Sequence, residues 1–544
     1  MHDPFAIANA FNDYFVSTYS SPTSVHSVYP RADSSPMPVL RDIHLVLDDV
    51  IDALRLLPSK SSVDADGLSY DVLKNGGFPL CLRLLQLFSL SLELSCVPSA
   101  WKAAVVSPIH KSGSNMLAKN FRPISVTSCC SRILERIINN KLTKFLTTEN
   151  LISDSQHGFI HGKSTDTILI HFYDYVTDCV DRNLIVDCIF VDFSKAFDTV
   201  PHSFLLSRLY SIGIRGPILE WLTDFLSDRS QVVRIRGTLS KSLPVTSGVV
   251  HGSVLGPTLF NVFVNDIDKA LQHCKILKYA DDLRIFLSAS KQPQDILNMR
   301  RKIQEDLNNI VSWSFESGIK LNIDKCFSVS FGLPAITQRP FYAICGSSIP
   351  NCKAVFSDLG LSVHSPINFN NHINTVVSKA FAKLGLINKI FKAKNSRNVV
   401  NLYKAFVRPK LEYLAIIWSP YTQSSIDNIE RVQRRMCRLI PDVRHFPYKV
   451  QLQSLGLLSL RARRLMLQLL TLFKIHKGMT NVNFNNFFNF LTLVEPVVIV
   501  VAYFRNSPPT IIAFTFSPSL SLLIGISCPR MISTSLRSLH SKTV

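Results

Sequence analysis

In KILKYADDLRIFL, residues 275–287, two adjacent aspartates stand between two apolar runs. Apolar runs bury themselves, whereas a pair of carboxylates stays charged only where water or a cation compensates it. A third acid in the same setting lies upstream. In NLIVDCIFVDFSKAFDTVPH, residues 183–202, the β-prone run CIFV ends at Asp192. If CIFV and KILKYA pair in one sheet, Asp192 comes beside Asp281 and Asp282. Three carboxylates at one sheet edge repel unless a cation sits among them. An oxygen-only donor set favours Mg²⁺, and two such ions about 4 Å apart form a clamp for in-line phosphoryl transfer. Singly, an Asp pair in a turn or an Asp at a strand end is ordinary turn chemistry. The combination carries the inference.

The elements that must position these acids are partly readable. VLDDVIDALRLLP places Val46, Val50, Ile51, Leu54 and Leu57 at helical spacing and ends at a proline. SKSSVDADGLS reads as a loop, and LRLLQLFSLSLEL as a second apolar helix. From Trp101 the pattern predicts short strands and turns; residues 181–340 mix strands with helices, and 371–480 read as several helices. After Thr480 the chain becomes Asn/Phe-biased and then Ser/Pro-rich. No internal repeat is present.

Composition narrows the class. A chain of 544 residues with 47% hydrophobic content can bury a sizeable core and is not a disordered chain. Its net charge is +20, which suits a polyanion or an anionic surface. Between Val376 and Thr480, 20 Lys/Arg against 4 Asp/Glu leave +16 of that charge in one segment, a footprint for a phosphate backbone; the plainer alternative is a solvated face. The twelve cysteines include no CxxC pair, and Cys345 and Cys352 match no zinc spacing, so reduced thiols in an intracellular protein are expected. The N-terminus lacks a signal-peptide h-region. PVVIVVAYF (496–504) and SLSLLIGIS (519–527) fall short of the ~20 residues of a spanning helix, so no membrane association is expected.

FVDFSKAFDTV (190–200) and YADD (279–282) resemble the first and third palm motifs of reverse transcriptases, and further motifs follow in the order of that family. KNFRPISVTS (119–128) and QHGFIHGKSTDT (156–167) are similar to fingers motifs of non-LTR (LINE-type) retrotransposon enzymes. GVVHGSVLGPTLFNVFVNDI (248–267) resembles the motif that grips template and incoming base. SGIKLNIDKC (317–326) and DLGLSVHSPINFNNHI (358–373) resemble the two motifs after the catalytic turn. LYKAFVRPKLEYLAIIWSP and NIERVQRRMCRLI look like the thumb region, and VPSAWKAAVVSPIHKSG (97–113) also fits. The resemblance spans roughly residues 1–477 and is nearest to the jockey-like branch.

That resemblance implies an α+β right-hand polymerase, with fingers, a palm built on an antiparallel sheet, and a helical thumb. It divides the chain into an N-terminal helical extension (1–100), fingers (101–180), palm (181–362, the polymerase domain being about 101–362), a thumb with a basic helical region (363–480) and an atypical tail (481–544). The implied activity is RNA-directed DNA synthesis in retrotransposon replication, by attack of a primer 3′-OH on a deoxynucleoside triphosphate. RNA template, DNA primer and deoxynucleoside triphosphates are the expected partners, with no partner protein, in the nucleus or cytoplasm. Two Mg²⁺ ions are implied on Asp192, Asp281 and Asp282, with Mn²⁺ as the alternative.

By the same resemblance, Arg122 in FRP meets the triphosphate, with Lys111 a second candidate. Lys325 is placed to protonate the departing pyrophosphate. Phe197, five residues after Asp192, walls off the sugar where a 2′-OH would clash. Gly252 lets template and base approach closely. Arg434, Arg435 and Arg438 are candidates for holding the duplex. The family has Pro-Gln before the glycine, and this chain has Val250 and His251. His251 again offers one donor and one acceptor, at a different reach. That departure, and the absence of an endonuclease before residue 1, define the rival reading: a degenerate relic that binds nucleic acid without useful turnover. A second rival is an RNA-templated RNA polymerase, which Phe197 and the YADD form oppose.

Overall fold

A computed structural model describes residues 3–20, 38–59, 63–64, 66–333, 341–352, 355–391 and 394–483, together with the backbone of four strands between 488 and 527. The described residues form a mixed α+β structure built mainly around two separate sheets. The first contains β1 (Ala103–His110), the antiparallel β2 (Phe121–Val126) and β4 (Arg229–Ile235); β4 runs parallel to β1 with Val106 opposite Val233. β5 (Thr238–Leu239) and β6 (Leu243–Val245) close on β4. The helix Pro4–Val16, started by Asp3 capping the Phe5 and Ala6 amides, lies across this sheet. Phe15 packs with Val106 and Val233, and the Asn12 amide bonds Ser240 and Gln231.

The second sheet runs in the order β7 (Lys275–Tyr279), β8 (Asp282–Ala289), β3 (Ile185–Val191), β9 (Phe327–Phe331), all antiparallel. Its central strand β3 is apolar almost throughout, because the sheet is covered on both faces. Alternate residues divide between two cores. Ile185, Ile189 and Val191 join one with Leu283 and Ile285; Val186 and Cys188 join the other with Phe286, Val329 and Phe331. Asp187 faces the first core fully buried, held by Arg300 and the Tyr342 hydroxyl. On the first face lie the helices His202–Ser211, Pro217–Leu226, Gly256–Phe263 and Pro293–Ser317; on the second lie Thr165–Asp181 and the helices from Asn370 to His476.

The strand partner differs from the expected one. KILKYA does not pair with CIFV; β8 lies between them, and the strand after the aspartates is the neighbour of β3. The expectation of short strands and turns from Trp101 onward also fails beyond β2. Cys129–Thr148 and Thr165–Asp181 are long helices, capped by Ser128 and Ser164. Ile133, Leu134, Ile137, Ile138, Leu142 and Leu146 are buried along one face of the first, so helical spacing outweighs the β-branched content. The SKSSVDADGLS loop ends at Ser69, which caps the helix Tyr70–Asn75, although Lys60, Ser61, Ser62 and Ala65 lie outside the described residues. The two apolar stretches near the C-terminus are strands, Val497–Ala502 and Leu522–Ser527, in a four-stranded antiparallel meander. The Ser/Pro-rich remainder lies outside the described residues. No helix among the described residues is long and apolar enough to cross a membrane.

Candidate active site at the strand ends

Asp192 is the first residue past the end of β3, and β8 begins at Asp282. Because Val191 sits opposite Leu283, the register carries Asp192 to the same edge as Asp282. Tyr279 pairs with Asp282, which leaves Ala280 and Asp281 as the two central residues of a tight hairpin. The sheet therefore delivers all three acids to one edge. Burial raises the Asp281 carboxyl, and the Asp192 charge raises it further, while Lys325 and Lys111 oppose the shift. Asp282 is pushed up to about 6, first by burial and then by the charges of Asp281 and Asp192.

The segment after the helix Pro293–Ser317 crosses this edge. Phe193 bridges to Leu321, and the Asn322 amide donates to the Asp192 carbonyl at 2.8 Å. Lys325 is thereby brought onto Asp192, its Nζ lying 2.9 and 3.3 Å from the two carboxylate oxygens. This ion pair modifies the expected metal cage. Among the described residues no three His, Cys, Asp or Glu side chains converge closely enough to hold an ion as they stand. The Asp192 carboxylate is turned to an ammonium instead of being shared with its neighbours. The donor set nonetheless fits a hard divalent cation. It is all oxygen, and the mutual charge that raises Asp281 and Asp282 is what a cation would relieve.

The other expected residues fall into two groups. Phe197 lies in the short helix Ala196–Thr199 and stacks on Phe260, centroids 4.3 Å apart and planes at 13°. The His251 ring is 5.5 Å from it. His251 Nε2 pairs with Asp198 at 3.0 Å, and its carbonyl accepts from the Ser125 amide at 2.9 Å. Gly252 has φ +103°, and a Cβ there would stand 2.4 Å from the Ser125 carbonyl oxygen. Its glycine is thus required by the backbone of β2, a reason different from the expected approach of template. Lys111 and Arg122 are exposed on and beside the β1–β2 hairpin, and only Lys111 registers electrostatically at Asp281. Arg434, Arg435 and Arg438 lie far along the chain on the helix Gln423–Arg438. With Arg431 they are exposed, while Ile429, Val432, Met436 and Cys437 form its buried face. Arg434 also covers the Tyr448 ring at 5.1 Å.

Three supporting residues escaped the sequence reading. Glu135, buried, accepts from Ser253 Oγ and from the Val254 amide, fixing the chain before the helix Gly256–Phe263. Asp198 sits inside the FSKAFD motif and orients His251. Gln156 accepts from the Ala280 amide at 3.0 Å. Asp198 and Gln156 lie inside stretches already marked by motif, so their acid and amide side chains were the available signal; Glu135 had none.

Comparison with known proteins agrees with this geometry. The family model for reverse transcriptase (RNA-dependent DNA polymerase) matches residues 109–383, just over half of the chain. The chain is 26% identical over 420 residues to the probable RNA-directed DNA polymerase from transposon BS of Drosophila melanogaster, covering 74% of this chain and 45% of that protein. It is 26% identical over 407 residues to the RNA-directed DNA polymerase from mobile element jockey of the same species, covering 73% and 44%. A third relative, from the type-1 retrotransposable element R2 of Popillia japonica, is 25% identical over 273 residues, 47% of this chain and 36% of that protein. The chain spans under half the length of these relatives. The matched residues run from the first sheet through all three edge aspartates, and the chain belongs to the reverse transcriptase family, with its similarity directed to the enzymes of jockey-like non-LTR retrotransposons.

Proposed function

We propose that the chain is an RNA-directed DNA polymerase that extends a primer 3′-OH with deoxynucleotides on an RNA template, as part of retrotransposon replication. The observation that carries this reading is the convergence of Asp192, Asp281 and Asp282 at one sheet edge in a chain of this family. In right-hand terms, residues 101–180 would be the fingers, 181–362 the palm and 363–480 the thumb. The parallel strand β4 then joins the fingers sheet from within the palm range.

Asp192, Asp281 and Asp282 would hold the divalent ions, Mg²⁺ or Mn²⁺. When bound, such ions lower the pKa of the primer hydroxyl and neutralise triphosphate charge. The remaining roles belong to the chain. Lys325 balances the charge of Asp192; released from that carboxylate, its ammonium would be the group to donate a proton to the departing pyrophosphate. Lys111 and Arg122 supply exposed positive charge on the facing hairpin for the triphosphate. Phe197, braced by Phe260, presents an apolar edge that offers a 2′-OH neither a hydrogen bond nor room. His251, oriented by Asp198, replaces the glutamine of the family motif at the template side. The exposed arginines of Gln423–Arg438 suit a duplex backbone. Primer extension with the purified chain on poly(rA)/oligo(dT), with dTTP and Mg²⁺, tests the proposal. Template-dependent dTMP incorporation is expected; binding without incorporation would favour the relic.

A further inference from the structure

The hairpin that carries Asp281 has an unfavourable backbone. Ala280 has φ +55° and Asp281 has no positive φ, the pattern that prefers glycine at the first central position of a two-residue turn. Ala280 carries a Cβ and resists this conformation. Something must hold it there.

The holding element is the segment 153–158, which lies directly behind the turn. The Gln156 side chain is almost fully buried, and its Oε1 accepts two backbone N–H groups, from Ala280 at 3.0 Å and from Gly158 at 2.9 Å. Its Nε2 has no partner among the described residues, so the side chain acts through its oxygen. On either side the strap is tied to β7. The Lys278 amide donates to the Ser155 carbonyl, and the His157 amide donates to the Lys278 carbonyl, each at 2.8 Å. At Gly158 a Cβ would stand 2.4 Å from the Ala280 nitrogen, so no side chain fits between strap and turn. Asn261 anchors the far end, its Nδ2 donating to the Gly158 carbonyl at 2.8 Å.

We propose that Gln156 is a positioning residue for nucleotidyl transfer: its side-chain oxygen locks Ala280 in the left-handed conformation that presents Asp281 and Asp282 at the sheet edge. The inference rests on the reading of that edge as catalytic. Gln156 touches no reacting atom. On the turn it acts through one peptide group, whose buried N–H would otherwise lack an acceptor; its other bond, to the Gly158 amide, stays within the strap. Without the acceptor that peptide is free to rotate, Ala280 relaxes to negative φ, and the Asp281 carboxylate leaves the edge.

The test separates positioning from mere support. Gln156→Met keeps the length and burial of the side chain and deletes the acceptor. Single-nucleotide incorporation should show kcat reduced about tenfold or more, the worth of one lost hydrogen bond, with the dNTP KM changed less than about threefold. Ala280→Gly in the Gln156→Met background should then regain about threefold or more in kcat, because glycine adopts positive φ freely. A structural role would lower Tm and kcat with no rescue by Ala280→Gly, and that result overturns the proposal. So does an unchanged kcat in Gln156→Met. Should Gln156→Met fail to fold, replacing the Tyr279–Ala280 amide by an ester removes only the N–H. The same loss of kcat is expected, and an unaltered kcat refutes the role. Asp281→Asn is measured alongside. If it stays active, the catalytic reading of the turn falls and takes this inference with it. If it is dead while Gln156→Met is unaffected, only the positioning role falls.

Discussion

Phe197→Val separates a sugar gate from a core aromatic, because the structure gives the ring both settings. It is half-buried and stacked on Phe260 at 4.3 Å, with Phe159 and His251 at its edges. Valine removes the stack, worth about 0.5–1.5 kcal/mol. It also removes part of a buried side chain, for which full truncation of a core phenylalanine costs about 3–5 kcal/mol. A half-buried ring with a valine left behind should therefore cost ~1–2 kcal/mol. At about 2–4 °C per kcal/mol for a domain of this size, Tm should fall by roughly 2–8 °C. If the outer edge of the ring also meets the sugar, its loss opens space for a 2′-OH. The ratio of rNTP to dNTP kcat/KM should then rise about 30-fold, or ~2 kcal/mol of lost discrimination. Single-nucleotide incorporation with UTP and dTTP on poly(rA), beside a melting curve, reads both effects. A lowered Tm with an unchanged ratio would refute the gate and leave Phe197 as a packing residue.

The exposed arginine face should behave as a phosphate contact: replacing Arg434, Arg435 and Arg438 with Gln should reduce the slope of log K against log[salt] for primer–template binding by about 3, and an unchanged slope would return them to solvent. The buried carboxylate of Asp358 accepts from Arg284 at 2.8 Å and from the Tyr173 hydroxyl at 3.0 Å. Asp358→Asn should cost ~3–5 kcal/mol in urea unfolding and Tyr173→Phe only ~1 kcal/mol, whereas a loss below about 1 kcal/mol for Asp358→Asn would mean that Arg284 does not depend on it. His157 is buried and its pKa is lowered to about 3, chiefly by desolvation. Its ring is therefore neutral when folded and gains a proton on unfolding below about pH 6.5, so it contributes a stability loss of up to ~2 kcal/mol between pH 7 and pH 5. His157→Gln should flatten the pH dependence of unfolding over that range by about the same amount, and an unaltered pH dependence would contradict this.

What could be read from the sequence follows from what side-chain patterns encode. CIFV ending at Asp192 and KILKYA running to the acid pair are apolar runs broken by charge, and both proved to be strands of one sheet. Their separation by β8 was hidden because nothing local tells which of the two apolar runs flanking the acids lies beside CIFV; β8 takes that place although it carries Arg284, which is neutralised by Asp358 and covered by Phe172 and Phe190. The helix Cys129–Thr148 was masked by its isoleucines, although their spacing is helical. The parallel pairing of β1 with β4 joins residues more than a hundred apart and leaves no local trace. At the candidate site, residue type and motif marked the three acids that share the sheet edge and the Lys325 paired with Asp192. The supports Gln156 and Glu135 did not stand out, because they act on backbone groups whose proximity only the folded chain creates.

The central claim is that Asp192 and Asp281 carry the chemistry together. Primer extension on poly(rA)/oligo(dT) with wild type, Asp192→Asn and Asp281→Asn tests it most directly, with template affinity and Tm measured on the same preparations. Each substitution should lower the incorporation rate by about a thousandfold or more, leaving template affinity within about threefold and the fold intact. Retention of more than about a tenth of the wild-type rate by either variant would contradict the assignment.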